Sequence, residues 1–132
     1  MRYLQTALFG ALLCGCAHGP TAAETLPKLA AALDAPVESP AQNSDNNALV
    51  MQVSDDKFLH GMTRGEVAKA LGREGDPCSR HPMCGERGFD GEDWYYEVGS
   101  EGSSYVRHRP ALILGFSRFG KVERSFVLRA PD

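Results

Sequence analysis

The sequence predicts an α+β fold, two short helices followed by a three-stranded antiparallel sheet, with a signal peptide and a flexible linker ahead of it. Two observations carry the prediction. Thr63 and Glu66 have the Thr-x-x-Glu spacing of a helix capping box, in which each side chain satisfies a free backbone N–H of the first turn. Downstream, Trp94, Tyr96 and Val98 alternate with Asp93, Tyr95 and Glu97, the period of two that marks a half-buried strand.

The first helix is expected over Asp55 to Leu59, with Ser54 as its cap and Phe58 and Leu59 turned inward; Gly61 then breaks the chain. The second starts at Thr63. Met62 and Val67 occupy the two positions of a hydrophobic staple. Val67, Ala70 and Leu71 form one apolar stripe, and Gly72 is a left-handed stop. Helices this short need a partner surface, which the strands supply. Leu112, Leu114 and Phe116 repeat the alternation after the Trp94 strand. Val122, Phe126 and Leu128 suggest a third strand, with Arg124 in the same register. Arg118-Phe119-Gly120-Lys121 reads as a hairpin turn with Gly120 at positive φ. The stretch from Gly99 to Arg109 is polar and rich in Gly and Ser, which predicts a mobile loop. Strands connected in this way are most simply antiparallel neighbours.

At the amino terminus, Met1-Arg2 is a minimal positive region and Leu4 to Leu13 an apolar run too short to span a bilayer. Residues 1–15 therefore read as a signal peptide. The sequence Leu13-Cys14-Gly15-Cys16 resembles the lipobox of bacterial lipoproteins. That resemblance implies cleavage before Cys16 and lipidation of its thiol and new amino group. Ala17 follows, and by resemblance to the sorting rule of Gram-negative lipoproteins it implies an outer-membrane location, lipid-anchored and facing the periplasm. Residues 16–52 are expected to be a lipidated flexible linker, because Ala, Pro, Thr, Ser, Asn and Asp dominate and cannot bury enough apolar surface to offset ordering. A flexible chain of roughly 35 residues spans about 30 Å.

The chain of 132 residues has room for one domain, expected over 53–130. Its net charge of −3 leaves no basic footprint for nucleic acid. The same balance argues against broad attraction to anionic lipid, so any membrane contact is local or lipid-mediated.

The order Gly61-Met62-Thr63-Arg64-Gly65-Glu66-Val67, Leu71-Gly72, Asp93-Trp94-Tyr95-Tyr96, Leu112-x-Leu114-x-Phe116 and Gly120-Lys121-Val122 resembles the SmpA/OmlA (BamE-like) lipoprotein domain family over roughly residues 55 to 128. The resemblance implies two helices packed on one face of a three-stranded sheet, in the order ααβββ. It further implies a non-catalytic envelope lipoprotein that binds periplasmic or outer-membrane proteins, with the β-barrel assembly machinery as the candidate partner. The same layout resembles one repeat of the β-lactamase-inhibitor proteins, which implies the alternative of an inhibitor-like module acting on a periplasmic hydrolase. The chain departs from the family pattern in three places. Arg73-Glu74 follow Leu71-Gly72 where a proline is usual. The loop before Trp94 is enlarged and holds two cysteines. Asn47 to Val53 is only loosely comparable to the family's partner-contacting segment.

Cys78 and Cys84 in an exported protein meet an oxidising compartment, so a disulfide is the default. The spacing Cys78-x2-His81-x2-Cys84 leaves a metal site open, with His60 or His108 as the source of a fourth ligand. No catalytic motif stands out: Gly-x-Ser-x-Gly, His-Glu-x-x-His and a phosphate-binding Gly-rich loop are all missing from the sequence. The expectation is therefore no enzymatic activity, no cofactor and no resident metal. His60 reads as a helix-end residue complementing the dipole, and His108 as part of a solvated strand entrance. Phe89, Tyr95 and Tyr105 are expected on loops or on the outer sheet face, where aromatics serve as interface anchors. Arg107, Arg109 and Arg118 are expected to gather at one end of the second strand and its hairpin, suited to carboxylates or phosphates.

Overall fold

The computed structural model describes residues 19–131. The stretch 1–15 read as a signal peptide, and Cys16, the expected lipidation site, lie outside the described residues. In chain order the elements are α1 (Ala22–Asp34), α2 (Pro40–Asp55), α3 (Arg64–Leu71), β1 (Asp76–Pro77), a 3-10 turn (Cys78–Arg80), α4 (Pro82–Glu86), β2 (Trp94–Glu97), β3 (Ala111–Phe116) and β4 (Val122–Leu128). The α+β class and the antiparallel sheet hold. Among the described residues the sheet has four strands rather than three, in the order β1-β2-β3-β4, and there are four α-helices rather than two.

The largest difference lies in the expected linker, where α1 and α2 are folded and packed. Thr21 caps α1, its hydroxyl accepting from the Glu24 N–H, and Leu26, Leu29 and Leu33 then line one buried side. Ser39 and Gln42 form a second capping box, with Pro40 in the first turn where its missing N–H costs nothing. Along α2 the inward positions are Asn43, Asn47, Val50 and Val53. Half of that stripe is polar, so it carries little apolar periodicity. Each asparagine is bonded by distant backbone instead, Asn47 through both ends of its amide and Asn43 through its Nδ2 alone, its Oδ1 being left without a partner. Asn43 Nδ2 donates to the His108 carbonyl at 2.6 Å. Asn47 donates to the Ala130 carbonyl at 3.0 Å and accepts from the Ala130 N–H at 2.9 Å. A side-chain amide bonded in both directions to a terminal segment closes that segment onto the helix while leaving no buried polar atom on Asn47 unpaired.

The short helix expected over Asp55 to Leu59 is absent as a separate element. Asp55 ends α2, and the chain turns through Lys57 at φ 56° and Gly61 at φ 87°. Ser54 bonds the Ser125 hydroxyl at 2.7 Å, tying α2 to β4 rather than starting a helix. Asn47 to Val53 is helical, with Val50 and Val53 in the core, so it is no free contact segment. The predicted Thr63 helix is as expected. The reciprocal Thr63–Glu66 capping bonds form, and Gly72 ends the helix at φ 85°.

The sheet carries a core on each face. On the helix face Leu26, Leu29, Leu33, Val50, Val53, Val67 and Leu71 meet Trp94, Tyr96, Leu112, Leu114 and Val122. On the other face Ile113 packs with Cys78, Cys84 and Phe89, bordered by Tyr95, Phe126 and Leu128. The enlarged loop supplies this second cover. The Cys78–Cys84 disulfide closes it, and Cys78 N–H donates to the Asp93 carbonyl at 2.8 Å beside β2. With both sulfurs joined to each other, neither is a thiolate ligand, so the Cys-x2-His-x2-Cys metal alternative loses its donors.

A bulge resolves the odd register of β4. Phe116 pairs with Val122 and Gly115 with Arg124, so Glu123 is the extra residue. Because side chains alternate, one inserted residue reverses the facing of everything beyond it. Val122 therefore joins the helix face, while Phe126 and Leu128 join the disulfide face. Arg124 no longer interrupts an apolar row. Its guanidinium lies over the Phe89 ring at 4.1 Å and donates to the Gly88 carbonyl.

Candidate functional site

The six candidate contact residues separate into three places. Tyr95, Arg107 and Arg109 line one open cleft of about 290 Å³ together with Met83, Glu97 and Pro131. A second cleft of about 270 Å³ adjoins it, lined by Tyr105, Val106, Pro40 and Asn43 and sharing Arg107, His108 and Pro131. Four of the six thus stand at the end of the sheet where β2 leaves and β3 enters.

The other two do not. Phe89 is buried at 8 % exposure against Ile113 and the disulfide, so it is a core residue of the second face rather than an exposed anchor. Arg118 follows β3, whereas Arg107 and Arg109 precede it. The six-residue strand puts roughly 20 Å between them, at about 3.4 Å per residue. The expected arginine cluster is therefore split between opposite ends of the molecule.

Local structure explains what each member of the cleft can do. Arg109 is already engaged, with its Nη2 2.6 Å and its Nε 3.0 Å from Glu97 Oε1. Among the described residues neither Arg107 nor Arg129, which also lines the cleft, has a carboxylate within ion-pair distance. These two guanidinium groups supply the available positive charge. Tyr95 is half-buried, and the His81 imidazole stacks on its ring at 3.8 Å with planes 10° apart. Burial, then the Glu97 and Asp76 charges, raise the Tyr95 pKa, which keeps its hydroxyl a neutral donor. His81 Nε2 is in turn 3.5 Å from Asp76. Tyr105 is 91 % exposed, on a loop expected to be mobile but tied at its start to the α1–α2 connection. Val37 and Ser100 bond at 3.1 Å, and Ser103 donates to the Val37 carbonyl at 3.0 Å. Gly99 allows that approach. It holds φ 107°, and a Cβ there would lie 2.4 Å from Val37.

Two further residues escaped the sequence reading. Asp93 sits in an outward register position, yet it is buried at 3 % exposure. It accepts from the Phe116 N–H at 2.9 Å and the Asp90 N–H at 3.0 Å, fastening the loop before β2 to the end of β3. Met83, on α4, is 45 % exposed at the rim of the cleft. His60, read as complementing a helix dipole, instead approaches the Ser125 hydroxyl at 3.3 Å. Burial first, and the Lys57 charge second, lower its pKa, which disfavours the cation a dipole would attract. His108 is exposed, as a strand-entrance residue should be. Among the described residues no group of three or more His, Cys, Asp or Glu side chains is placed to hold a metal ion.

Compared with known proteins, the chain matches no family model, and no curated protein and no solved structure matches it either.

Proposed function

We propose that this chain is a non-catalytic envelope lipoprotein, anchored by lipid on Cys16 to the periplasmic side of the outer membrane. Its domain acts as a protein-binding module that supports outer-membrane β-barrel protein assembly or envelope integrity. The reading rests on the lipobox and on the order of motifs shared with SmpA/OmlA domains. The observation that carries the binding role is the pair of adjoining clefts that share Arg107. They combine an exposed aromatic, Tyr105, a flexible apolar rim residue, Met83, and two cations with no carboxylate partner among the described residues. Tyrosine and arginine at the edge of a pocket are the side chains that most often dominate protein contacts, and the guanidinium charge selects acidic segments of the partner. Among the described residues no helix is long and apolar enough to cross a membrane, so attachment in this reading falls to the lipid.

An inhibitor-like module would use the Cys78–Cys84 loop as a rigid insertion. In the fold that loop lies over the sheet with Cys78, Cys84 and Phe89 turned inward, so it acts as a cover rather than as a free projection. Gentle detergent extraction followed by co-purification tests the preferred role. Assembly-machinery components are expected with the wild-type chain and lost on combined Tyr105→Ala and Arg107→Glu substitution. Recovery of the same components with the double variant removes the clefts from the contact, and their absence from wild type removes the assembly role.

A further inference from the structure

The packing determines which end of the domain receives the chain from the amino terminus. Gly99 donates to the Leu33 carbonyl at 3.0 Å, so α1 finishes where β2 leaves the sheet, beside the Arg107 clefts. Arg73, just past α3, lies 3.3 Å from Asp34 at the end of α1. The two helices are in contact and their carboxyl ends meet at that pair, so both run back from it toward the opposite end of the sheet. There Thr63 bridges to Lys121, and Gly61 donates to the Val122 carbonyl at 2.8 Å. Thr21, where α1 begins, thus stands at the same end as the β3–β4 hairpin.

That hairpin has an unusual tip. Phe119 is 77 % exposed, with the Arg118 guanidinium 5.0 Å from its ring centre and Lys121 exposed two residues on. Of the acids near the tip, Glu66 is occupied in the Thr63 cap and Asp90 accepts from the Glu92 and Asp93 N–H groups, while the exposed Glu92 lines a cleft beside Arg118 without pairing with it among the described residues. An exposed ring flanked by cations suits the headgroup layer of a bilayer: the ring enters the interface and the charged ends stay with phosphates and water.

We propose that the Arg118-Phe119-Gly120-Lys121 tip seats in the interfacial layer of the phospholipid bilayer to which Cys16 ties the chain, so that the Arg107 clefts face away from the membrane. The inference rests on the anchor reading above. Only residues 17–20 separate Cys16 from Thr21, a reach of no more than about 18 Å at full extension. A tether that short holds this end of the domain at the lipid surface, where even a weak local contact is raised by effective concentration. It replaces the long, freely ranging linker expected from composition.

The test uses the full chain, extracted in detergent and reconstituted into vesicles of phosphatidylethanolamine and phosphatidylglycerol with brominated acyl chains. Phe119→Trp and Tyr105→Trp variants are compared with wild type, whose buried Trp94 sets the background. Both positions are exposed, so neither substitution disturbs the core. Emission from Phe119→Trp is expected to shift to the blue and be quenched by bromine, with Tyr105→Trp unaffected. The intact mass of the same preparation reports the acyl groups. Acylated protein that leaves Phe119→Trp unquenched, or quenches Tyr105→Trp instead, overturns the orientation and leaves the anchor standing. Protein without acyl chains overturns the anchor and the orientation with it.

Discussion

The two faces of the sheet are covered by different physical means. On one, three helices contribute aliphatic side chains that bury almost completely: Leu29, Val50 and Val67 have no measurable exposure, and neither have Leu112 and Leu114 of β3 beneath them. On the other, one loop, a five-residue helix and a disulfide cover little more than Ile113. The first face is held by hydrophobic burial, which scales with apolar area and needs no covalent help. The second has too little area for that, so cross-linking and cation–π contacts supplement it. Arg124 over Phe89 and Arg87 over Phe126 border the same small cluster. A small cover can thus be added to a sheet without enlarging the main core.

The contrast can be broken first at α1. Leu29→Ala removes a fully buried side chain from the helix face and is expected to cost about 3 kcal/mol, within the range for buried leucine truncations. Urea denaturation measures it. A cost near zero would return residues 22–34 to the status of a tether and leave the first face with two helices.

The next largest effect is expected at the disulfide. Replacing Cys78 and Cys84 with serine releases a closed loop of about seven residues, worth roughly 2.4 kcal/mol in the chain-entropy model. Amide exchange sharpens the comparison. Protection is expected to fall across residues 78–90 and to persist at Val67 and Leu71. Equal loss on both sides would show that the two covers unfold as one unit.

A smaller effect tests the seam where α2 meets β4. The lowered pKa of His60 means that the unfolded chain takes up the proton more readily than the folded one. Its contribution is whole above the ordinary value of 6.5 and is lost as pH falls through the lower folded value. Stability is therefore expected to decline on acidification below 6.5, and His60→Gln to flatten that part of the curve. An unchanged pH profile in the variant would assign the decline to other groups.

Much of residues 61–128 was legible because local grammar and tertiary packing agree there. The Thr63–Glu66 box, the Gly72 stop, the Trp94 and Leu112 alternations and the Gly120 turn all form. The amino-terminal half was misread for a specific reason. Thr21-x-x-Glu24 ahead of Leu26, Leu29 and Leu33, and Ser39-Pro40 ahead of Gln42, were the available helix signals. They were masked by Pro27 inside α1 and by asparagines on the buried side of α2. Composition alone weighs such residues as solvent-facing. Their burial becomes favourable only when the His108 carbonyl and the Ala130 backbone, more than 60 residues away, arrive to bond them. The contact residues divide in the same way. Tyr105 and Arg107 were read as exposed and are, whereas Phe89 is sequestered and Arg118 lies at the far end of β3.

Residue types and their spacing were enough to establish the α+β class, the capped Thr63 helix, the antiparallel strands with their hairpin, and the pairing expected of Cys78 and Cys84. Such features depend on hydrogen bonds and periodicities within a few residues, or on redox chemistry. The facing of β4 beyond Glu123, the covering of the sheet's second side and the gathering of Tyr95, Tyr105 and Arg107 at one end emerged only in three dimensions. Each turns on which distant groups meet, and a one-residue bulge or a buried asparagine changes that without altering the local pattern.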